Sequence, residues 1–212
     1  MLTPAALTLQ HWLSPAFPTG AFAYSHGLEQ VIARGEVTDA ESFKAWLLDV
    51  LCFGSGWQDA VLIALALDEG ADFHRVDAFA MALQPTAERL QEASEQGAAF
   101  ARTVTQITGR ALPARLLPVT VAEAAAPLGL PRDLVIAAYL QAFVTNLATI
   151  AIRHVPLGQG DGHRVLAQVL TQLPELAQDA AFARIEDLGN SCFGADLAAM
   201  EHETKDVRLF RT

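Results

Sequence analysis

The feature that most constrains the fold is a run of 19 residues, 134–152, that contains no charged side chain. A run of this length is close to what an α-helix needs to cross a lipid bilayer. Tyr139, Gln141 and Asn146 interrupt it, and it is rich in alanine rather than leucine. A helix that is apolar on all sides is also what the centre of a globular bundle requires. We therefore predict a buried central helix, with a transmembrane helix as the alternative.

The rest of the chain carries signals for helix boundaries and almost no signals for strands. Thr38 and Glu41 match a capping box in which Thr38 is the N-cap and Glu41 the third helical residue. Pro85 and Pro131 suit the first turns of two further helices. We predict an all-α, single-domain helical bundle over residues 1–212, with about nine or ten helices around the long apolar central helix.

The charge and cysteine content narrow the class of protein. The net charge is −10, with 14 Lys and Arg against 24 Asp and Glu and no basic stripe. Binding to nucleic acid needs clustered Lys and Arg, so we exclude it. Cys52 and Cys192 lie far apart, which favours free thiols in a reducing compartment, with a lone disulfide as the alternative. The first residues lack the pattern of a signal peptide, so we expect a cytoplasmic protein with no membrane contact.

The sequence shows no local metal or nucleotide site. None of the six histidines lies three or four residues from another, so no helix presents a histidine pair to a metal. The only lysines are Lys44 and Lys205, and neither follows a glycine-rich phosphate loop. We expect no cofactor, no resident metal and no enzymatic activity, with a metal site assembled from distant residues as the alternative.

An aromatic stretch near the start, "SPAFPTGAFAYSHGLEQ" at residues 14–30, is the first candidate functional segment. Its two prolines block a helix, Gly20 permits a positive φ, and we expect a new helix to begin at Ala21. On that helix Phe22 and Tyr24 cannot share one face, so at least one ring points away from the packed side. The stretch is either a turn whose aromatics cover the core or a rigid interface patch.

The second candidate is a tail at about residues 204–212, "TKDVRLFRT". It places Leu209 and Phe210 between Arg208 and Arg211. Disordered segments rarely carry large apolar residues, so we predict that this tail docks, either on its own body or on a partner.

Three stretches together resemble the UreF family of urease accessory proteins. They are "SPAFPTGAFAYSHGLE" at residues 14–29, "RHVPLGQ" at 153–159 and "AAMEHETKDVRLFRT" at 198–212. Their order, their spacing and the length of the chain also match the family, so the resemblance covers essentially the whole chain.

The resemblance implies an all-α homodimer that has no catalytic role of its own. Proteins of this family are understood to join UreD (also called UreH) and the GTPase UreG, and to act on apo-urease. The resulting assembly couples GTP hydrolysis to delivery of nickel to the urease active site. The chain is thus expected to be a scaffold and regulator in assembly of that metallocentre.

The resemblance also assigns residues to surfaces. It implies a GTPase-facing patch made of Gly20, Phe22, Tyr24, Ser25, Gly27, Leu28 and Glu29. It implies a UreD-facing tail that includes Arg208, Leu209, Phe210 and Arg211. It places a dimer or GTPase-facing segment at Arg153, Pro156, Leu157, Gly158 and Gln159.

The chain departs from the family pattern in the first and the third of these stretches. Phe17, Thr19 and Ala23 replace the commoner Leu, Val and Ser. In the tail the usual Gln, Tyr and Ser are replaced by Lys205, Asp206 and Val207. The tail therefore lacks an aromatic that other family members use, although "RLFR" is intact.

Two other functions are considered as alternatives. In the first, the chain is a GTPase-activating protein that inserts Arg34 to stabilise charge on the transferred phosphoryl group. Arg34 equally suits the last turn of a helix, where it complements the dipole. In the second, the chain is a helical enzyme that uses Ser25, His26 and Glu29, although adjacent Ser and His side chains rarely form a dyad.

Overall fold

The computed structural model describes residues 3–155 and 157–212, and within these ranges the chain forms helices and no β-strand. The all-α prediction is confirmed. The α-helices run as follows: α1 Pro4–Trp12, α2 Leu28–Ala33, α3 Ala40–Phe53, α4 Ser55–Ala66, α5 Phe73–Ala82, α6 Ala87–Thr108, α7 Leu117–Ala125, α8 Arg132–His154, α9 Gln159–Leu170, α10 Leu173–Phe182 and α11 Phe193–His202. Three single-turn 3₁₀ helices span Ala21–Ala23, Ala126–Leu128 and Ile185–Asp187.

Helix α8 is the centre of the bundle, as the uncharged run predicts. It packs against α2, α3, α4, α7, α9 and α10. Helix α8 and the α3–α4 stretch are each long and apolar enough to cross a membrane by length and composition alone. More than half of the most apolar window of each is buried inside the bundle, 56% for α8 and 61% for α3–α4, which is typical of core helices in globular proteins.

Three predicted helix starts are shifted. Pro131 is the N-cap of α8, whose first helical residue is Arg132. Asp39, not Thr38, is the N-cap of α3, because its Oδ1 accepts from the Ser42 N–H at 2.9 Å while the Ser42 Oγ accepts from the Asp39 N–H at 3.1 Å. This reciprocal pair is a capping box one residue later than predicted. Helix α6 begins after Thr86, whose Oγ1 accepts from the Arg89 N–H at 3.0 Å. Pro85 therefore precedes the N-cap and does not lie in the first turn.

Helix α1 is not among the predicted helices. This helix starts with Pro4 after an N-cap Thr3, whose hydroxyl accepts from the Ala6 N–H at 3.2 Å. It buries Leu9 and Trp12 in the core. With α1, the described ranges contain eleven α-helices, one more than the upper number predicted.

Both cysteines are free thiols in the structure, which confirms that prediction over a disulfide. Burial raises the pKa of the Cys52 thiol and of the Cys192 thiol above the ordinary value. Both side chains are therefore uncharged, and Cys192 is part of the core.

Candidate partner-binding site

The first candidate segment, residues 14–29, leads into α2 through a tight irregular turn. The expected helix from Ala21 is only one 3₁₀ turn, Ala21–Ala23, and Tyr24 after it is extended. His26 and Gly27 both have a positive φ, 56° and 79°, and two such residues in succession cannot continue a right-handed helix. A Cβ on Gly27 would lie 3.0 Å from the Ala199 backbone nitrogen, so α2 and α11 approach closely here.

This turn separates the predicted GTPase-facing patch into exposed and buried members. Phe22 is 69% exposed, and its ring is the main apolar surface of the segment. Tyr24, Ser25, Leu28 and Glu29 are buried within the chain itself. One aromatic therefore points away from the core, as the spacing predicts, and it is Phe22.

The buried Glu29 carboxylate is the point at which the tail is held. It accepts from the backbone N–H of Phe210 at 2.8 Å and of Leu209 at 3.0 Å. The Lys205 Nζ donates to its other oxygen at 2.8 Å. Burial disfavours the charged form, but these donors together with His202 outweigh burial and hold the pKa of Glu29 at about 2.

Behind Glu29, a buried histidine connects α11 to α6. The His202 ring is fully buried, with Nδ1 2.7 Å from Glu88 Oε2 and Nε2 3.3 Å from Glu29 Oε2. The Glu88 carboxylate also pairs with the Arg208 guanidinium. The Arg208 guanidinium in turn donates to the Glu203 carbonyl oxygen at 2.6 Å. Tail, α11 and α6 are thus joined through one set of charged hydrogen bonds.

The next tail residues bind to the first segment itself. The Arg211 N–H donates to the Ala23 carbonyl at 2.8 Å, and the Ser25 N–H donates to the Thr212 carbonyl at 3.0 Å. The Ser25 hydroxyl donates to the same carbonyl. The Tyr24 hydroxyl donates to Glu95 at 2.6 Å, and the Arg211 guanidinium lies over the Tyr24 ring at 5.6 Å.

Part of the apolar surface of the tail is exposed to solvent. Val207 and Leu209 are exposed, Leu209 to 69%. Phe210 is only 9% exposed and packs edge-on against His154, with the ring centroids 4.6 Å apart. Of the two docking modes considered, the chain in isolation adopts docking on its own body.

The His154 contact also brings the third predicted segment, residues 153–159, to the tail. Arg153 and His154 form the exposed last turn of α8, and Gly158 is the N-cap before Gln159 starts α9. Leu157 is buried. Pro156 lies outside the described residues.

Sequence reasoning missed the residues of α6 that hold the tail. Glu88, Glu92 and Glu95 lie at intervals of four and three, so they share one face of the helix and would repel one another there. Each has a cationic or hydroxyl partner instead: Glu92 pairs with Arg89 and with His26 Nε2 at 2.8 Å, and accepts from the Thr212 hydroxyl at 2.9 Å. The sequence feature that could have identified them is the presence of three like charges on one helical face.

A cavity of about 580 Å³ lies beneath the first segment and reaches the core. Its polar lining includes two pairs: His26 with Glu92, and Tyr139 with Asp59, whose carboxylate accepts from the tyrosine hydroxyl at 2.6 Å. Burial lowers the pKa of His26 and raises that of Asp59 to about 6. Among the described residues, no group of three or more His, Cys, Asp or Glu side chains is arranged to hold a metal ion.

The geometry does not support the two alternative functions. The Ser25 hydroxyl faces Thr212 and the His26 ring faces Glu92, so the two side chains do not form a nucleophile–base pair. Arg34 lies at the end of α2 and pairs with Glu201, and with Glu36 at 3.4 Å. An arginine held this way would have to break an intramolecular pair before reaching a phosphate.

Comparison with known proteins identifies similar chains along the full length. A family model described as UreF matches residues 37–170. A protein named urease accessory protein UreF from Cereibacter sphaeroides ATCC 17023 is 54% identical over 211 residues, covering all of both chains. Proteins with the same name from Paracoccus denitrificans and Roseobacter denitrificans are 47% and 46% identical, covering all of this chain and 99% and 96% of theirs.

Proposed function

The chain belongs to the UreF family, and we propose that it is a non-catalytic scaffold in the assembly of the urease nickel centre. In this role it joins a UreD-type protein, a UreG-type GTPase and apo-urease in the cytoplasm, and it forms a homodimer. The segment at residues 153–159 takes part either in the dimer contact or in the GTPase-facing surface. Nickel is the cargo of the assembly and not a cofactor of this chain.

The observation that carries the proposal is the meeting of the three family stretches at one place. The Glu29 carboxylate accepts from the tail amides at 2.8–3.1 Å, and Phe210 contacts His154 at the end of α8. A surface composed of segments so distant in the chain is continuous only when the tail is docked. This continuity supports a role in presenting one composite face to several partners.

The exposed apolar side chains of that face indicate where partners bind. Phe22 from the first segment and Leu209 from the tail are each 69% exposed, while the charged groups between them are satisfied within the chain. Large apolar side chains surrounded by a polar rim are typical of interface hot spots. We assign Phe22 to the GTPase-facing patch and Leu209 to the UreD-facing tail.

The test is reconstitution of the complex from purified components. We expect size-exclusion chromatography with light scattering to show a larger species when a UreD-type protein is added, and a further shift with UreG and GTP. Leu209→Ala together with Phe210→Ala should weaken the UreD-type complex by about tenfold or more, as for a hot-spot pair. Absence of any complex with either partner would refute the scaffold role.

Single variants separate direct contact from tail packing. Leu209→Ala removes an exposed side chain, so it should weaken the UreD-type complex without loss of helix by circular dichroism. Phe210→Ala removes the contact with His154 and acts partly through release of the tail. Phe182→Ala is the matched control, because Phe182 is also highly exposed but lies on α10, outside all three segments.

A further inference from the structure

The cavity of about 580 Å³ beneath the first segment contains polar groups that have no partner within the chain. It extends between α4, α6 and α8 to the start of α11. Sites for small organic ligands have volumes of about 300–1,000 Å³. Part of the wall is apolar and comes from the buried rings of Trp12, Phe17 and Phe100. The cavity therefore offers a ligand both apolar surface and polar groups.

Gln58 on α4 is the first of these polar groups. Its side chain lines the cavity and is only 4% exposed, and its amide has no hydrogen-bond partner among the described residues. The unpartnered polar atoms that packing closes off completely are His26 Nδ1 and Trp46 Nε1, so the Gln58 amide is open to the cavity. A buried amide without partners costs free energy, and a ligand that carries N–H donors would recover it.

Two carboxylates of the same cavity have no cation of their own. Asp59 Oδ2 accepts from the Tyr139 hydroxyl at 2.6 Å, and Asp196 Oδ2 accepts from the Asn190 amide at 2.7 Å. Neither aspartate makes an ion pair within the described ranges, and the Oδ1 atom of each has no partner there. Burial raises the pKa of both carboxyl groups, that of Asp59 to about 6, as expected where no cation lies against them.

The arginines of the cavity do not neutralise these two aspartates. The charge of Arg89 acts on both, but its guanidinium is paired with the Glu92 carboxylate. Arg153 lies in the exposed last turn of α8. Because Arg89 and Glu92 balance each other, two negative charges remain when both aspartates are ionised. A ligand with positive charge is therefore complementary to the cavity.

We propose that this cavity binds a short aliphatic diamine in its diammonium form. One ammonium group donates to Asp59 Oδ1 and the other to Asp196 Oδ1, and the Gln58 amide oxygen accepts a further N–H. The hydrocarbon between the two charges lies against the aromatic walls. Two charges joined by an apolar stem match two free carboxylates in a partly apolar cavity better than a single charge does.

The inference is independent of the partners named under Proposed function, and it is tested with the full chain alone. The probe is putrescine, a four-carbon diamine, titrated into the chain by isothermal titration calorimetry at pH 7 and constant ionic strength. We expect saturable binding at one site. Butylamine has the same stem but one ammonium group, so it should bind about tenfold more weakly or worse. Butanediol, which has no charge, should not bind.

Matched variants locate the binding. Asp59→Asn and Asp196→Asn should each weaken putrescine binding by about tenfold or more, because each removes a charged acceptor. Gln58→Leu, which keeps the size of the side chain, should weaken it as well. Asp179→Asn is the control, because Asp179 is an exposed carboxylate on α10 outside the cavity.

Three results would each overturn the proposal. The first is a titration that shows only heat of dilution, which would mean that water alone fills the cavity. The second is butylamine binding as tightly as putrescine. The third is putrescine binding that is the same in the Asp59→Asn and Asp196→Asn variants as in the control, with helix content by circular dichroism unchanged in all of them.

Discussion

At the scale of single residues, the site depends on carboxylates that are buried and fully satisfied. Glu29 has four hydrogen-bonding groups around it: two backbone amides, a lysine and a histidine. The composite face exists because these donors come from the tail and α11 while the carboxylate comes from α2. Removing the charge should therefore loosen the tail and leave the bundle intact.

We expect Glu29→Gln to destabilise the chain by about 2 kcal/mol at pH 7, the typical worth of hydrogen bonds to a charged group. The glutamine NH₂ group would also face another donor in either orientation of the amide: the Lys205 ammonium or the tail amides. Hydrogen exchange at residues 207–212 should speed up, whereas exchange in the α8 core should not. Glu175→Gln on α10 is the control, because Glu175 is an exposed carboxylate on another helix.

The pH dependence follows from the depressed pKa. Folding lowers the pKa of Glu29 from an ordinary 4.5 to about 2, so its stabilisation is complete above about pH 4.5 and is lost as the pH falls towards 2. The wild-type free energy of unfolding should fall through this interval, and the fall should be shallower in Glu29→Gln. Some slope will remain, because Arg89 and His26 overcome burial and also hold the pKa of Glu92 at about 2. Equal slopes in the two proteins would contradict this account.

The pKa of Asp59 shifts in the opposite direction to that of Glu29. Its burial outweighs the hydrogen bond from Tyr139 and raises its pKa from 3.8 to about 6. The folded state therefore binds the proton more tightly, and ionisation of Asp59 costs stability as the pH rises from about 3.8 to 6. Relative to wild type, Asp59→Asn should be more stable at pH 7 than at pH 4 by about 2–3 kcal/mol. Urea unfolding at the two pH values measures this, and a difference of zero would show that Asp59 ionises freely in the folded chain.

At the scale of secondary-structure elements, the close approach of one backbone segment to another decides which substitutions are tolerated. Gly97 in the middle of α6 faces the segment that leads into α7. A Cβ there would overlap the Arg115 carbonyl oxygen and would lie 2.9 Å from the Leu117 nitrogen. Both are backbone atoms, so neither can rotate away.

We predict that Gly97→Ala destabilises the chain by about 3 kcal/mol, at the upper end for overpacking. Gly160→Ala, in the first turn of α9, has no atom within 4 Å of its new Cβ and should gain up to about 1 kcal/mol from helix propensity. Thermal unfolding of the two variants compares them directly. A neutral Gly97→Ala would mean that α6 and α7 separate easily.

The helices also show which parts of the fold can be predicted from the sequence alone. Apolar periodicity and capping residues predict most helices because both act within a few positions along the chain. Helix α1 is missed because its buried side chains, Leu9 and Trp12, are too few to set a visible period. The capping box is displaced by one residue because Thr and Asp are both good N-caps, and only the reciprocal Ser42 contact decides between them.

At the scale of the whole molecule, the site depends on contacts that no local pattern contains. Family resemblance marks Glu29 and the tail as separate functional segments, but the hydrogen bond between Glu29 and Phe210 joins residues 181 positions apart. The glutamates of α6 show in the sequence only as three like charges on one helical face, because most of their partners lie on other elements. Pairing of distant charges is a property of the folded chain.

Deletion of residues 207–212 tests how much the docked tail contributes to the stability of the fold. It would leave the Glu29 carboxylate without its amide donors and would remove the Thr212 partner of Ser25 and Glu92. We expect a loss of about 3 kcal/mol or more from the hydrogen bonds to charged groups and the burial of Phe210 that the tail supplies, with nearly unchanged helix content by circular dichroism. Stability equal to that of the full chain would show that the tail contributes nothing to the fold.

The return of the tail to α2 also sets an order of events during synthesis. Phe210, which binds Glu29, is the 181st residue that a ribosome adds after it. Until then the bundle can form around α8 while the carboxylate stays hydrated, because joining such remote positions is the slowest kind of loop closure. The nascent chain therefore passes through a stage in which its body is built but its composite face is still open.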